Sequence, residues 1–449
     1  MVDIEHECAL SLDWATKSGC KFADLRFHRV TYFSGNKRES KQGVYARVYY
    51  DGSWGFFYYD RIQRKREGLI RTIRSAMKIA KTKPLAQKFE IPSELRATTD
   101  EVEKGLNCNT ETVKEILNYI QGLVQNTGVL HHDVRKCQLK ENLIIIQNSI
   151  GTSIRTRWRF IKIDLSLIHN KHLDIRQDFS ITFSSIKEAK RYLTDAIRDI
   201  SETMNLLSYS RKRAYRNEKP KWLIFSPTTA GTIFHEVCGH GSEADFPASS
   251  TFFPMKKGTE ISSKEISVFD DPLLSNLLTS YDYDDEGVPA KRKVLVDHGV
   301  FVKQLSNIMT AGSMNIELTG NGRAQDHRSF PFVRMSNIII SPGKWTMEKI
   351  IEESKSAIYV NQLYGNISKT FSSVCRGSYF VNSHGEVERI ANSIILHGDT
   401  FDILKNIDAV ENKIYLQSVD CIKGKQRLEV GIGCGHIRLP TANIVVKGM

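Results

Sequence analysis

The residues best suited to chemistry lie in one run, Gly231-Thr-Ile-Phe-His235-Glu236-Val-Cys238-Gly239-His240-Gly-Ser-Glu243-Ala-Asp245. Two imidazoles bracket a carboxylate that directly follows the first of them. That order suits a zinc hydrolase: neutral imidazoles hold the ion, and the adjacent glutamate takes the proton of the metal-bound water. The spacing departs from the common four-residue step, because His235 and His240 are five apart. At ~100° per residue, an α-helix would turn the two rings about 140° from each other. One wide turn, a π-bulge, would bring His240 back over His235, and such bulges are frequent at functional sites. Gly239, without a Cβ, is expected to ease that rewinding. The plain alternative is a helix with two partly buried, hydrogen-bonded histidines.

The same run resembles the signature of the TldD/PmbA family, and specifically of its metal-carrying TldD-type members: His-Glu-x-x-x-His-Gly followed by an acidic stretch. Further matches follow in order: Asp284-Asp285-Glu286-Gly287-Val288-Pro289, Leu318-Thr319-Gly320-Asn321-Gly322-Arg323, Arg334-Met335-Ser336-Asn337 and Ser341-Pro342-Gly343. The likeness covers residues 221–449. Over the first half it rests mainly on Ala23-Asp24-Leu25 and Gly43-Val44-Tyr45-Ala46-Arg47.

Catalytic zinc usually has three protein ligands and an open position, so a third donor is needed. The resemblance points to Cys421, ten residues before Gly431-Ile-Gly433, with Lys423 at +2 and Gln426 at +5. The family's usual glycines at +1 and +4 are replaced by Ile422 and Lys425. Cys434, His436, Cys238 and Glu243 are rival donors. In this reading His235, His240 and Cys421 hold Zn²⁺ and Glu236 is the general base. Arg323 or His327, in a glycine-rich stretch, is a candidate for docking substrate or stabilising an oxyanion.

The elements around the motif read as follows. Residues 1–20, 62–80, 110–124 and 185–208 have helical spacing, and 21–33 alternates as a strand. Residues 43–50 and 54–59, joined at Asp51-Gly52, are the clearest hairpin. Its aromatic residues are expected to be core, with base stacking as the alternative. Residues 130–182 are β-rich. Residues 211–220 read as a charged linker ending in proline. Then come a short strand at 222–226, the metal helix, and strands at 294–296, 300–305, 333–340, 378–381 and 394–396. His298 and His384 fall in turns and are read as structural. The fold class is therefore α+β: a mixed α/β domain at 1–219 and a β-rich domain at 220–449 that carries the metal-binding helix.

The composition is that of a globular chain, 41% hydrophobic and 25% charged over 449 residues. No apolar run approaches the ~18 residues of a membrane span. The acidic start lacks the pattern of a signal peptide, and eight scattered cysteines fit reduced thiols, so the cytoplasm is the expected compartment. The net charge of +12 is uneven: 39 Lys and Arg against 26 Asp and Glu up to residue 220, then 24 against 25. A basic front half can meet nucleic acid, an acidic peptide or a partner.

What the resemblance implies is a zinc metallopeptidase acting on unfolded or modified peptides, working as a homodimer or with a PmbA-type subunit. Two other classes stay open. One is a non-catalytic protein that binds DNA or modulates a DNA enzyme such as gyrase, although no nucleic-acid motif is present. The other is a zinc amidohydrolase of small amides.

Overall fold

The computed structural model describes all residues except 1–3, 35–36, 62–64, 84–87, 106–109, 129, 170–175, 184, 210–219, 246–255, 275–278, 355–356, 368–369, 383, 385, 391–392, 443 and 449. The expected linker at 211–220 therefore lies almost wholly outside the described residues. Before it stands a mixed α/β region, and after it a β-rich one.

Alternation of large apolar and polar residues builds the first region around one sheet. Its strands run in the order Ser53–Tyr59, Lys37–Tyr50, Phe22–Ser34, Leu130–Asn148, Ser153–His169 and Thr99–Gly105, with Arg176–Phe183 also paired to Ser153–His169. All pairs are antiparallel except Thr99–Gly105 with Ser153–His169. The hairpin at Asp51-Gly52 forms as its residues require, with φ of 52° and 73°. Its aromatic residues are core: Tyr45, Tyr49 and Trp54 are buried.

Four helices, Ile4–Lys17, Arg66–Lys81, Thr110–Thr127 and Ile186–Tyr209, cover one face of this sheet. Leu25, Val44 and Val48 pack there with Leu69, Ile73 and Ala76, and Ile161, Ile163 and Leu165 with Ile116, Ile120 and Leu193. None of the described helices is long and apolar enough to cross a membrane. The opposite face carries Arg26, His28, Tyr32, Lys140, Trp158 and Phe160 and forms one wall of a cavity of about 520 Å³. Segment 323–328 and part of the 420–429 hairpin close it from the other side.

Among the described residues, the second region holds two six-stranded sheets, a four-stranded one and a two-stranded one. One six-stranded sheet runs Val300–Phe301, Lys293–Asp297, Val268–Asp270, Asn337–Ile340, Gln426–Cys434, Tyr415–Lys423. The other has Trp222–Phe225 among its central strands. Two expected strands prove shorter. The one expected at 300–305 stops at Phe301. The one expected at 333–340 is interrupted because residues 334 and 336 bond elsewhere: Arg334 N donates to Asn321 O and Ser336 N to Asp270 Oδ1. His298 does sit in a turn, exposed and with φ of 44°. His384 is also exposed, with its N–H given to Asn382.

The two regions meet through buried charge. Arg47, fully buried, donates to Asp24 of its own sheet and to Glu286 of the second region. Arg26 donates to Asp285 at 2.5 Å, and Asp284 accepts from the N–H groups of Glu286, Val288 and Gly322. The Asp284–Pro289 and Gly320–Arg323 stretches are thus a polar joint between regions.

Candidate metal centre

Trp222–Phe225 delivers the chain into the helix Pro227–Phe234, whose start is locally encoded. Ser226 is the N-cap, accepting from Thr229 N at 3.1 Å, and Pro227 occupies the first turn, where its missing N–H costs nothing. Gly231 lets the helix lie against the strand Gln426–Cys434, since a Cβ there would come within 2.9 Å of Ile432 Cδ1.

At His235 the helix widens into a π-turn that spans His235–His240. The five-residue spacing is accommodated as expected: the two rings stand 5.2 Å apart between centroids, at 86°. The missing Cβ of Gly239 also makes room for a neighbour, since a Cβ built there would lie 2.4 Å from Met335 Sδ. Close packing of the turn on Met335 and Ile338 therefore requires glycine at this position.

Cys421 arrives from the strand Tyr415–Lys423, and one donor atom from each of His235, His240 and Cys421 lies within 4.8 Å of the others. Cys421 Sγ is 3.1 Å from His240 Nε2. All three residues are buried. The replaced glycines do not displace the thiol. Gly424 and Lys425 form a tight two-residue turn with φ of 56° and 66°, and Ile422 points outward, exposed.

The rival donors are held elsewhere. Cys238 and Cys434 are buried in the hydrophobic core. His436 is bound by Glu411 at 2.6 Å and Tyr359 at 3.0 Å. Glu243 supports the site from behind, its Oε2 accepting from His240 Nδ1 at 3.0 Å and from Lys423 Nζ at 2.8 Å. The spacing of His240 and Glu243, one helical turn, was a readable signal; the part of Lys423 was not. Arg323 and His327 are not in this group. They line the cavity, where Arg323 donates to the carbonyls of Met335 and Glu429, and His327 pairs with Asp60 at 3.0 Å. Asp420, Leu428 and Glu429 of the hairpin also line it, and Cys421, the cross-strand partner of Leu428, is not among the lining residues.

The electrostatics suit a cation. Burial opposes ionisation of Cys421, but hydrogen bonds from His235 and His240 outweigh it and bring the thiol down to about 5. Burial likewise opposes charging of His240, yet the Glu243 carboxylate and Cys421 raise it to about 10. Glu243 falls to about 2, burial being overcome by His240 and Lys423. His235 Nδ1 is buried and has no hydrogen-bond partner among the described residues. A ready thiolate, two imidazoles and an unsatisfied ring nitrogen together fit a zinc-type ion. Glu236 is the most open residue of the turn, about one-third exposed, with Oε1 4.0 Å from His235 Nε2.

The chain is similar to known proteins over most of its length. A family model described as the PmbA/TldA metallopeptidase C-terminal domain matches residues 222–446, and one for domain 1 matches 24–80. A metalloprotease of Methanocaldococcus jannaschii is 30% identical over 442 residues, covering 93% of this chain and 95% of that one. A protein of Saccharolobus solfataricus named zinc metalloprotease TldD homolog is 25% identical, covering 95% and 96%. Among solved structures, TldE from Thermococcus kodakarensis has a TM-score of 0.72 at 18% identity, over 98% of this chain and 100% of that one. A Thermotoga maritima structure titled a putative modulator of a DNA gyrase scores 0.70 at 18% identity, with the same coverage. The match across the second region, together with a relative that aligns over nearly the whole chain, means that this protein belongs to the TldD/PmbA family of metallopeptidases.

Proposed function

We propose that the protein is a zinc peptidase for unfolded or modified peptides, with His235, His240 and Cys421 as ligands and Glu236 as general base. The observation that carries this reading is the π-turn, which sets two buried imidazoles beside the buried Cys421 and leaves Glu236 open at the rim. When bound, the ion supplies Lewis acidity toward the scissile carbonyl and makes a water acidic enough to attack near neutral pH. Glu236 takes the proton from the attacking water and passes it to the leaving amide nitrogen. His235 and His240 stay dry, which keeps their lone pairs for the metal.

The strand that carries Cys421 is the last in its sheet. An extended peptide adding to that edge would be held by its main chain, which favours unfolded substrates of varied sequence over folded ones. Small amides lack the main chain to use it. Assembly as a homodimer or with a PmbA-type subunit belongs to the same proposal, and so does a cytoplasmic setting. The basic front half gives the DNA-binding alternative its support, but Arg26 and Arg47 are committed to the joint with the second region.

One specific arrangement favours a second reading. Cys421, His240 and Glu243 lie in the order of a thiol–imidazole–carboxylate triad. That reading leaves His235 and Glu236 without a role, so the metal reading stands first.

The test is digestion of a disordered peptide, followed by mass spectrometry. Cleavage that stops with a chelator, returns with Zn²⁺ and is absent in H235A is the expected result. Cleavage that survives chelation but stops with a thiol alkylating agent would overturn the metal reading in favour of the triad.

A further inference from the structure

The metal ligands come from two elements far apart in sequence, and one partly buried side chain ties those elements together. Lys423 follows Cys421 by two residues on the same strand, so both project from the same face. Its Nζ donates to Glu243 Oε2 at 2.8 Å, Asp245 Oδ1 at 2.5 Å and Val333 O at 2.9 Å. Glu243 is fully buried, and its other oxygen accepts from Met335 N at 3.2 Å. Asp245 in turn accepts from Val333 N at 2.9 Å. The carboxylate of Glu243 is thus fixed from three sides, by Lys423, by Met335 N and by His240.

An ionised carboxylate only accepts hydrogen bonds, so His240 Nδ1 must carry the proton it shares with Glu243. In the neutral ring the lone pair then sits on Nε2, the atom that faces Cys421 Sγ at 3.1 Å. We propose that Glu243, clamped by Lys423, is the positioning residue that holds His240 in the Nδ1–H form with Nε2 toward the metal. Lys423 thereby links the strand that carries the thiol to the turn that carries the imidazoles. This rests on the metal reading above and extends it to the residues that orient the ligands. Partners of this kind typically change metal affinity 10–100-fold.

Lys423 supplies the sharper test, because two effects have opposite signs. If its role were only that of a nearby positive charge, its removal would make the site more negative and tighten cation binding. If it positions Glu243, removal frees the carboxylate and weakens binding.

The experiment measures Zn²⁺ dissociation constants by chelator competition in wild type, E243A, E243Q, K423M and C421S. It is paired with ¹⁵N NMR of the His240 ring in the zinc-loaded protein. E243A is expected to bind roughly 10–100-fold more weakly, and K423M more weakly than wild type. E243Q, whose amide oxygen still accepts from Nδ1, is expected to recover most of the affinity and to keep the Nδ1–H signal. Should E243A fail to fold, E243Q and K423M decide the matter alone. Unchanged affinity in E243A, tighter binding in K423M, or an Nε2–H ring in the loaded wild type would overturn the inference. Absence of Zn²⁺ binding by wild type would instead sink the metal reading itself, and loss of binding in C421S checks that the same ion is being measured.

Discussion

His240 Nε2 lies 3.1 Å from Cys421 Sγ, although 181 residues separate them in the chain. The contact joins a π-turn to the strand at the edge of a six-stranded sheet. Most of the protein's expected behaviour follows from how that junction is held.

Glu236 is next to a ligand, but its own carboxylate is at the rim and outside the ligand group. E236Q should therefore keep wild-type zinc content and lose about 10²–10⁴ in turnover, the usual share of a general base. Metal analysis and peptide turnover on the same sample check this. Full turnover would remove Glu236 from the mechanism.

The metal-stripped protein should have a stability plateau in pH. His240 is raised from 6.5 to about 10, so its contribution is full below pH 6.5 and is lost as pH rises through 10. Cys421 is lowered from 9.0 to about 5, so its contribution is full above pH 9 and is lost as pH falls through 5. Between pH 6.5 and 9 the folded pair and the unfolded pair each bind one proton, and the two dependences cancel. Stability should rise from pH 5 to 6.5, stay level to 9, and fall toward 10. Glu243, lowered from 4.5 to about 2, adds a separate loss below pH 4.5. Urea midpoints across pH report the curve, and C421S should flatten the rise between 5 and 6.5.

Arg47 has no exposed surface and serves two buried carboxylates, Asp24 and Glu286. R47A strands both. Breaking a buried pair from one side costs about 3–5 kcal/mol, and that loss is expected in urea unfolding. A loss below about 1 kcal/mol would mean that water reaches the joint.

Lys425 has φ of 66° in the turn after Cys421. A left-handed conformation costs a non-glycine residue about 1–2 kcal/mol, and glycine's extra freedom when unfolded returns about half of that. K425G should stabilise the chain by roughly 0.5–1 kcal/mol without changing metal affinity. A destabilised K425G would show that the turn is not strained.

G239A sets a Cβ against Met335 Sδ, at 2.4 Å before any relaxation. Overpacking of this kind costs about 1–3 kcal/mol, and M335A in the same chain should recover part of it. Equal losses in G239A and the double variant would argue against Met335 as the cause.

The linear order of residues determined the elements wherever a local rule applied. The Asp51-Gly52 hairpin, the Ser226-Pro227 helix start and the long amphipathic helices follow from turn preferences, capping and periodicity, all of which act within a few residues. The π-turn was legible too, because a five-residue step between two ligands leaves an α-helix no way to present both. Cys421 was reached through a resemblance, since no local rule relates a thiol to a helix 181 residues away.

Tertiary packing alone decided the rest. Strand pairing, not any pattern near residue 421, placed Lys423 against Glu243 and Asp245. Arg323 and His327 stood out in the sequence by their glycine-rich stretch, and the fold placed them in the lining of a cavity that they share with Asp420, Leu428 and Glu429, outside the group of His235, His240 and Cys421. The Asp284–Glu286 carboxylates had no visible purpose until the first sheet brought Arg26 and Arg47 to them. Such contacts depend on side chains distant in the chain meeting in one low-dielectric place, a condition set by the whole fold.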